Sequence, residues 1–106
     1  MSVAEFCQMT KEHAHETNGG INSLWTSAYV EKMKGYADDT TVLTIEDKRA
    51  LEDVLNDLAS VYLKNYFKDL SGESPVYAEG LKAVRNMINS WIKESTTLGE
   101  LIMKML

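Results

Sequence analysis

"TIEDKRALEDVLNDLASVYLKNYFKD", residues 44–69, is the stretch whose reading decides the fold. Thr44 is a good N-cap, and Asp47 stands three positions later, the spacing at which the two can exchange side-chain and backbone hydrogen bonds. Beyond that start, Leu51, Val54, Leu55, Leu58, Val61, Tyr62, Asn65 and Tyr66 recur at intervals of three and four to about Asp69. Asp53, Asn56, Asp57, Ser60 and Lys64 fall on the other side. A helix this long and this one-sided has to bury its stripe against something, and the rest of the chain offers partners of the same period.

On the C-terminal side, "SGESP" breaks the pattern. Gly72 ends the long helix, Ser74 caps the next, and Pro75 takes a first helical position, where its missing N–H costs nothing. The helix expected from about Pro75 to Glu94 stacks Tyr77, Leu81, Val84, Ile88, Trp91, Ile92 and Ser95. In "TTLGELIMKML", Thr97 is a cap three residues before Glu100, and Leu98, Leu101, Ile102 and Met105 share one side of a short final helix.

On the N-terminal side, a helix from about Ser2 to Thr17 aligns Val3, Phe6, Cys7, Thr10, Ala14 and Thr17 and stops at Asn18, Gly19 and Gly20. Another, from about Ile21 to Lys34, aligns Ile21, Leu24, Trp25 and Ala28, with Tyr29 and Tyr36 at the flank and Gly35 as its C-terminal cap. "YADDTTVL" reads as loop with a short extended lead-in. Helical stripes joined by short loops bury one another, so the expected fold is all-α. It is a compact bundle of four main helices plus a short C-terminal helix, in a single domain over residues 1–106.

The 44% apolar and 25% charged composition is that of a globular domain with a core of its own. Cys7, alone of its kind, cannot make an intrachain disulfide, and no window has the run of apolar residues a membrane span needs. The expectation is a cytoplasmic protein with no membrane contact. A net charge of −5 argues against direct binding to nucleic acid, which depends on displacing counterions with Lys and Arg.

Both histidines lie in "EHAHE", residues 12–16. On a helix His13 and His15 point about 200° apart and cannot share one ion. Glu12 and His15 have the Glu-x-x-His spacing of di-iron bundles, but those sites need a second such pair and two more glutamates, and the chain has no third histidine. No metal, cofactor or catalytic residue is expected. Cys7 reads as a small core residue.

What stands out is charge. Asp38, Asp39, Glu46, Asp47, Glu52, Asp53 and Asp57 face only Lys48 and Arg49 within the same segment, which accounts for the whole net charge. Glu46 and Asp47 suit the positive end of a helix dipole, whereas Asp53 and Asp57 form a repulsive pair one turn apart. The expected function is non-catalytic. The chain would bind a protein with a basic surface through this acidic face at residues 38–57, as an adaptor, inhibitor, immunity factor or chaperone does. One alternative is an inhibitor that mimics the charge of DNA. Another is a DNA-binding regulator using Lys82, Arg85, Asn86, Asn89 and Lys93 on the polar side of the fourth helix. Tyr29 and Met33, at the border of their stripe, and Leu63 and Phe67, outside the main stripe of the third helix, are candidates for an apolar interface, a homodimer among the possibilities. The alternative for Leu63, Phe67 and the apolar "LIMKML" end is packing within the chain itself.

Overall fold

The computed structural model describes residues 2–16, 27–66 and 75–106. Among them are five helices: α1 (Ser2–Glu16), α2 (Ser27–Lys34), α3 (Ile45–Tyr66), α4 (Pro75–Glu94) and α5 (Leu98–Met105). The architecture is an all-α bundle in which α3 is the central member, packed on α1 along one flank and α4 along the other. Leu51, Leu55, Leu58 and Ala59 of α3 are sealed from solvent and meet Val3 and Phe6 of α1, Ile88 and Ile92 of α4, and Leu98, Leu101 and Ile102 of α5 in one core cluster.

The start of α3 has the expected reciprocal bonds. The Asp47 N–H donates to Thr44 Oγ1 and the Thr44 N–H donates to an Asp47 carboxylate oxygen, each at 3.0 Å. The start of α5 repeats the device with one change. Glu100 N–H donates to Thr97 Oγ1 at 3.2 Å, while the Glu100 carboxylate reaches back past Thr97 to the N–H of Thr96 at 2.8 Å. The apolar "LIMKML" stretch turns inward, and Leu101, Ile102 and Met105 are core residues of the chain's own bundle.

Between α2 and α3 the chain runs extended beside the start of α5. Leu43 N–H donates to Thr96 O at 2.9 Å, Leu98 N–H to Thr41 O at 3.0 Å and Gly99 N–H to Asp39 O at 2.9 Å, closing one antiparallel bridge between Val42 and Thr97. This clamp buries Leu43 and fixes α5 against the loop that precedes α3.

Two expectations for α2 are corrected. Gly35 is not a left-handed cap, since its φ lies outside that region. The helix instead tightens, with the N–H groups of Gly35, Tyr36 and Ala37 donating to the carbonyls three residues back. The buried face is also turned from the one expected: Ala28 is exposed, whereas Tyr29 and Met33 are fully buried. Tyr29 lies against Phe6, stacks on His13 with ring centroids 4.3 Å apart, and shares a 2.7 Å hydrogen bond with Thr10 Oγ1. Ile21, Leu24 and Trp25 lie outside the described residues, as do the stops at residues 18–20 and 72 and the cap at Ser74.

Candidate protein-binding surface

The acidic segment does not form one face, and helix geometry shows why. At about 100° per residue, Glu46, Asp53 and Asp57 fall within about 40° of one line along α3. That line lies opposite Leu51, Leu55 and Leu58, and all three carboxylates are exposed. Asp47 is turned about 100° from the line, toward α1, and its charge is felt at Cys7. Glu52 is turned toward α4 and is half-buried. Asp38 and Asp39 stand apart in the loop beside α5, where an Asp39 carboxylate oxygen accepts the Thr41 N–H at 2.8 Å.

So five of the seven carboxylates divide by role. Asp47 and Asp39 serve the backbone, one as a cap and the other as a turn acceptor. Glu46, Asp53 and Asp57 make a solvent-facing row. Among the described residues, ion pairs join Lys34 to Glu31 at 3.1 Å and Lys104 to Glu94 at 3.4 Å, and the row enters neither. Exposed Arg49 lies within the row, three residues after Glu46 and four before Asp53, and exposed Lys64 lies farther along the same line, so the row carries one cation inside it and ends basic.

The apolar interface candidates are corrected. Tyr29, Met33 and Leu63 are 1%, 0% and 6% exposed and so offer a partner no surface. Leu63 lies outside the main stripe yet is buried, on a side of α3 where Ala59 is buried too and where neighbouring Ser60 shares a 3.3 Å hydrogen bond with Tyr77 of α4. This is a second buried side that the single-stripe reading of that helix left out. Phe67 lies outside the described residues.

The polar side of α4 carries exposed Lys82, Arg85, Asn86 and Lys93, interleaved with exposed Glu79 and Glu94. Asn89 accepts a 3.0 Å hydrogen bond from Asn56 of α3, so it is held in the helix packing. Lys93 also gives its main-chain carbonyl to Lys48 Nζ at 3.2 Å.

Cys7 and His13 are placed for packing. Cys7 is a free, buried thiol, and loss of hydration pushes its pKa up, with Lys11 opposing and Asp47 adding to the rise. His13 is buried against Tyr29, while Glu12 is exposed and accepts from Gln8 at 3.3 Å. The side chains of His15 and Glu16 lie outside the described residues. Among the described residues no group of three or more His, Cys, Asp or Glu is placed to hold a metal ion, and no helix is long and apolar enough to cross a membrane.

The fold therefore defines a class, a small all-α bundle whose polar chemistry lies mostly on its outer faces. Comparison with protein-family models, with curated proteins and with solved structures gives no match.

Proposed function

We propose that the chain is a non-catalytic binding protein and that its partner is a protein with a basic surface, engaged through Glu46, Asp53 and Asp57 of α3. One observation carries this. Three exposed carboxylates stand in line on the rigid central helix, two of them a repulsive turn apart, and among the described residues none of the three is drawn into an ion pair. Glu46 suits the positive end of the α3 dipole, but the Asp53 and Asp57 pair gives the fold nothing, and a cationic partner would relieve its repulsion on docking and be steered toward it. The burial of Cys7 supports the non-catalytic part of the reading, because a desolvated thiol is a poor nucleophile.

Mimicry of DNA is the weaker form of this idea. From Glu46 to Asp57 the helix rises about 16 Å, so three charges give about one per 5 Å, against about one per 1.7 Å along a DNA duplex.

The test is affinity capture on immobilised chain from a lysate of the organism that encodes it. Wild type is compared with the triple variant Glu46→Gln, Asp53→Asn, Asp57→Asn, read by quantitative mass spectrometry. The expected result is a basic protein enriched on wild type, depleted on the variant and released by raised salt. Equal recovery on both would overturn the assignment to α3.

A further inference from the structure

Beside α5 the structure has a second surface that the row on α3 does not include. A groove of about 550 Å³ opens between the loop following α2 and the outer side of α5. Buried Gly99 and half-buried Ala37 line it together with the side chain of Met103, which is 62% exposed. A lone exposed apolar residue is ordinary, but this one stands in a concavity, and methionine adapts its shape to what it packs on.

The groove is also strongly one-signed. Among the described residues, Asp38, Asp39 and Glu100 line it against a single cation, Lys104, whose ammonium is drawn to Glu94 at 3.4 Å. Asp39 and Glu100 are held by their bonds from the N–H groups of Thr41 and Thr96, so the partner need not order them. Asp38 is exposed.

We infer that this groove receives lysine or arginine side chains from an extended basic segment of the protein partner. Lysine and arginine combine the two features the groove asks for: an aliphatic stem that packs on Ala37 and Met103, and a charged head that reaches the carboxylates at the rim. The inference rests on the proposed basic partner and adds to it a second contact, on another face of the molecule from Glu46, Asp53 and Asp57. A free metal ion does not meet the same description, since it would make no use of the apolar lining.

The test is a nuclear magnetic resonance titration of the full ¹⁵N-labelled chain. The probe is a blocked peptide of alternating lysine and leucine, and its control is the glutamate and leucine counterpart. The expected result is saturable shifts of the Ala37, Asp38, Gly99 and Met103 amides with the basic peptide alone. Asp38→Asn combined with Glu100→Gln should weaken binding about fivefold, as loss of two exposed charge contacts implies. The amide introduced by Glu100→Gln keeps an oxygen for the Thr96 N–H, so the α5 start is preserved. Shifts confined to α3 would overturn the groove and leave the basic-partner reading in place. Absence of shifts anywhere would overturn both, and equal binding of the acidic peptide would overturn the charge argument.

Discussion

Gly99 gives the sharpest test of how α5 is seated. In an open helix, replacing glycine by alanine gains up to about 1 kcal/mol. At Gly99 an added Cβ would lie 2.6 Å from Asp39 O, 2.7 Å from Ala37 O and 3.2 Å from Asp39 N. All three are backbone atoms, in a loop pinned by the bonds from Ala37 N–H to Lys34 O, Asp39 N–H to Tyr36 O and Gly99 N–H to Asp39 O. The loop would have to retreat by the better part of an ångström. Overpacking of this kind costs about 1–3 kcal/mol, and stretching the 2.9 Å bond from Gly99 N–H adds about 1 kcal/mol. Set against the propensity gain, Gly99→Ala should destabilise by about 2 kcal/mol, which for a chain of this size lowers Tm by about 8 °C. Gly35→Ala is the control. Its Cβ would meet one backbone atom, Lys32 O at 3.3 Å, and its φ suits alanine, so the change should stay within about 0.5 kcal/mol of zero. Urea unfolding followed by circular dichroism reads both. An unchanged or raised midpoint for Gly99→Ala would refute the close approach of α5 to the loop.

Other outcomes follow from single contacts. Tyr29→Phe removes the 2.7 Å bond to Thr10, whose hydroxyl keeps its bond to Phe6 O, and should cost about 1 kcal/mol in urea unfolding. Burial holds the Tyr29 hydroxyl far above its ordinary pKa of 10.0. The folded chain therefore keeps a proton that the unfolded chain loses. Its contribution is full below about pH 10 and is lost as pH rises further, by at most about 1.4 kcal/mol per pH unit. Unfolding free energies measured between neutral pH and pH 11 should show this fall, and it should be shallower in Tyr29→Phe. Ile102→Ala opens a hole under α5 and should cost about 2–5 kcal/mol by the same unfolding measurement. Thr44→Ala should cost about 1 kcal/mol by breaking the reciprocal cap, while Asp53→Asn should leave stability within about 0.5 kcal/mol of wild type.

Much of the fold was legible because its signals are local. The Thr44 and Asp47 pair, Pro75 at a helix start and Thr97 before Glu100 each act within one turn, and α3, α4 and α5 begin where those residues place them. The apolar side of α5 was legible for the same reason, since four apolar residues at helical spacing share one face. That the chain's own bundle covers it was not, because periodicity does not say which molecule supplies the other surface. The face of α2 was not. Its stripe was anchored on Ile21, Leu24 and Trp25 and carried forward to Ala28, but what selects the buried side of Ser27–Lys34 is the fit of Tyr29 onto Phe6, Thr10 and His13 from another helix. Leu63 was misplaced because α3 is central and buries more than one stripe, against α1 and against α4. The acidic face was legible as composition and not as geometry. Adjacency in sequence gathered seven carboxylates, while a rotation of about 100° per residue sends Asp47 and Glu52 to opposite flanks, and the loop carries Asp38 and Asp39 to α5.

The measurement that bears most directly on the binding role is the dissociation constant for the basic protein captured on wild type, at low and at raised salt. It is made in parallel on the wild-type chain and on the chain carrying Glu46→Gln, Asp53→Asn and Asp57→Asn. The row of carboxylates on α3 predicts an affinity that falls steeply with salt in wild type, and a weaker affinity with a flatter salt dependence in the variant. Equal constants and equal slopes for the two chains, with both folded, would contradict it.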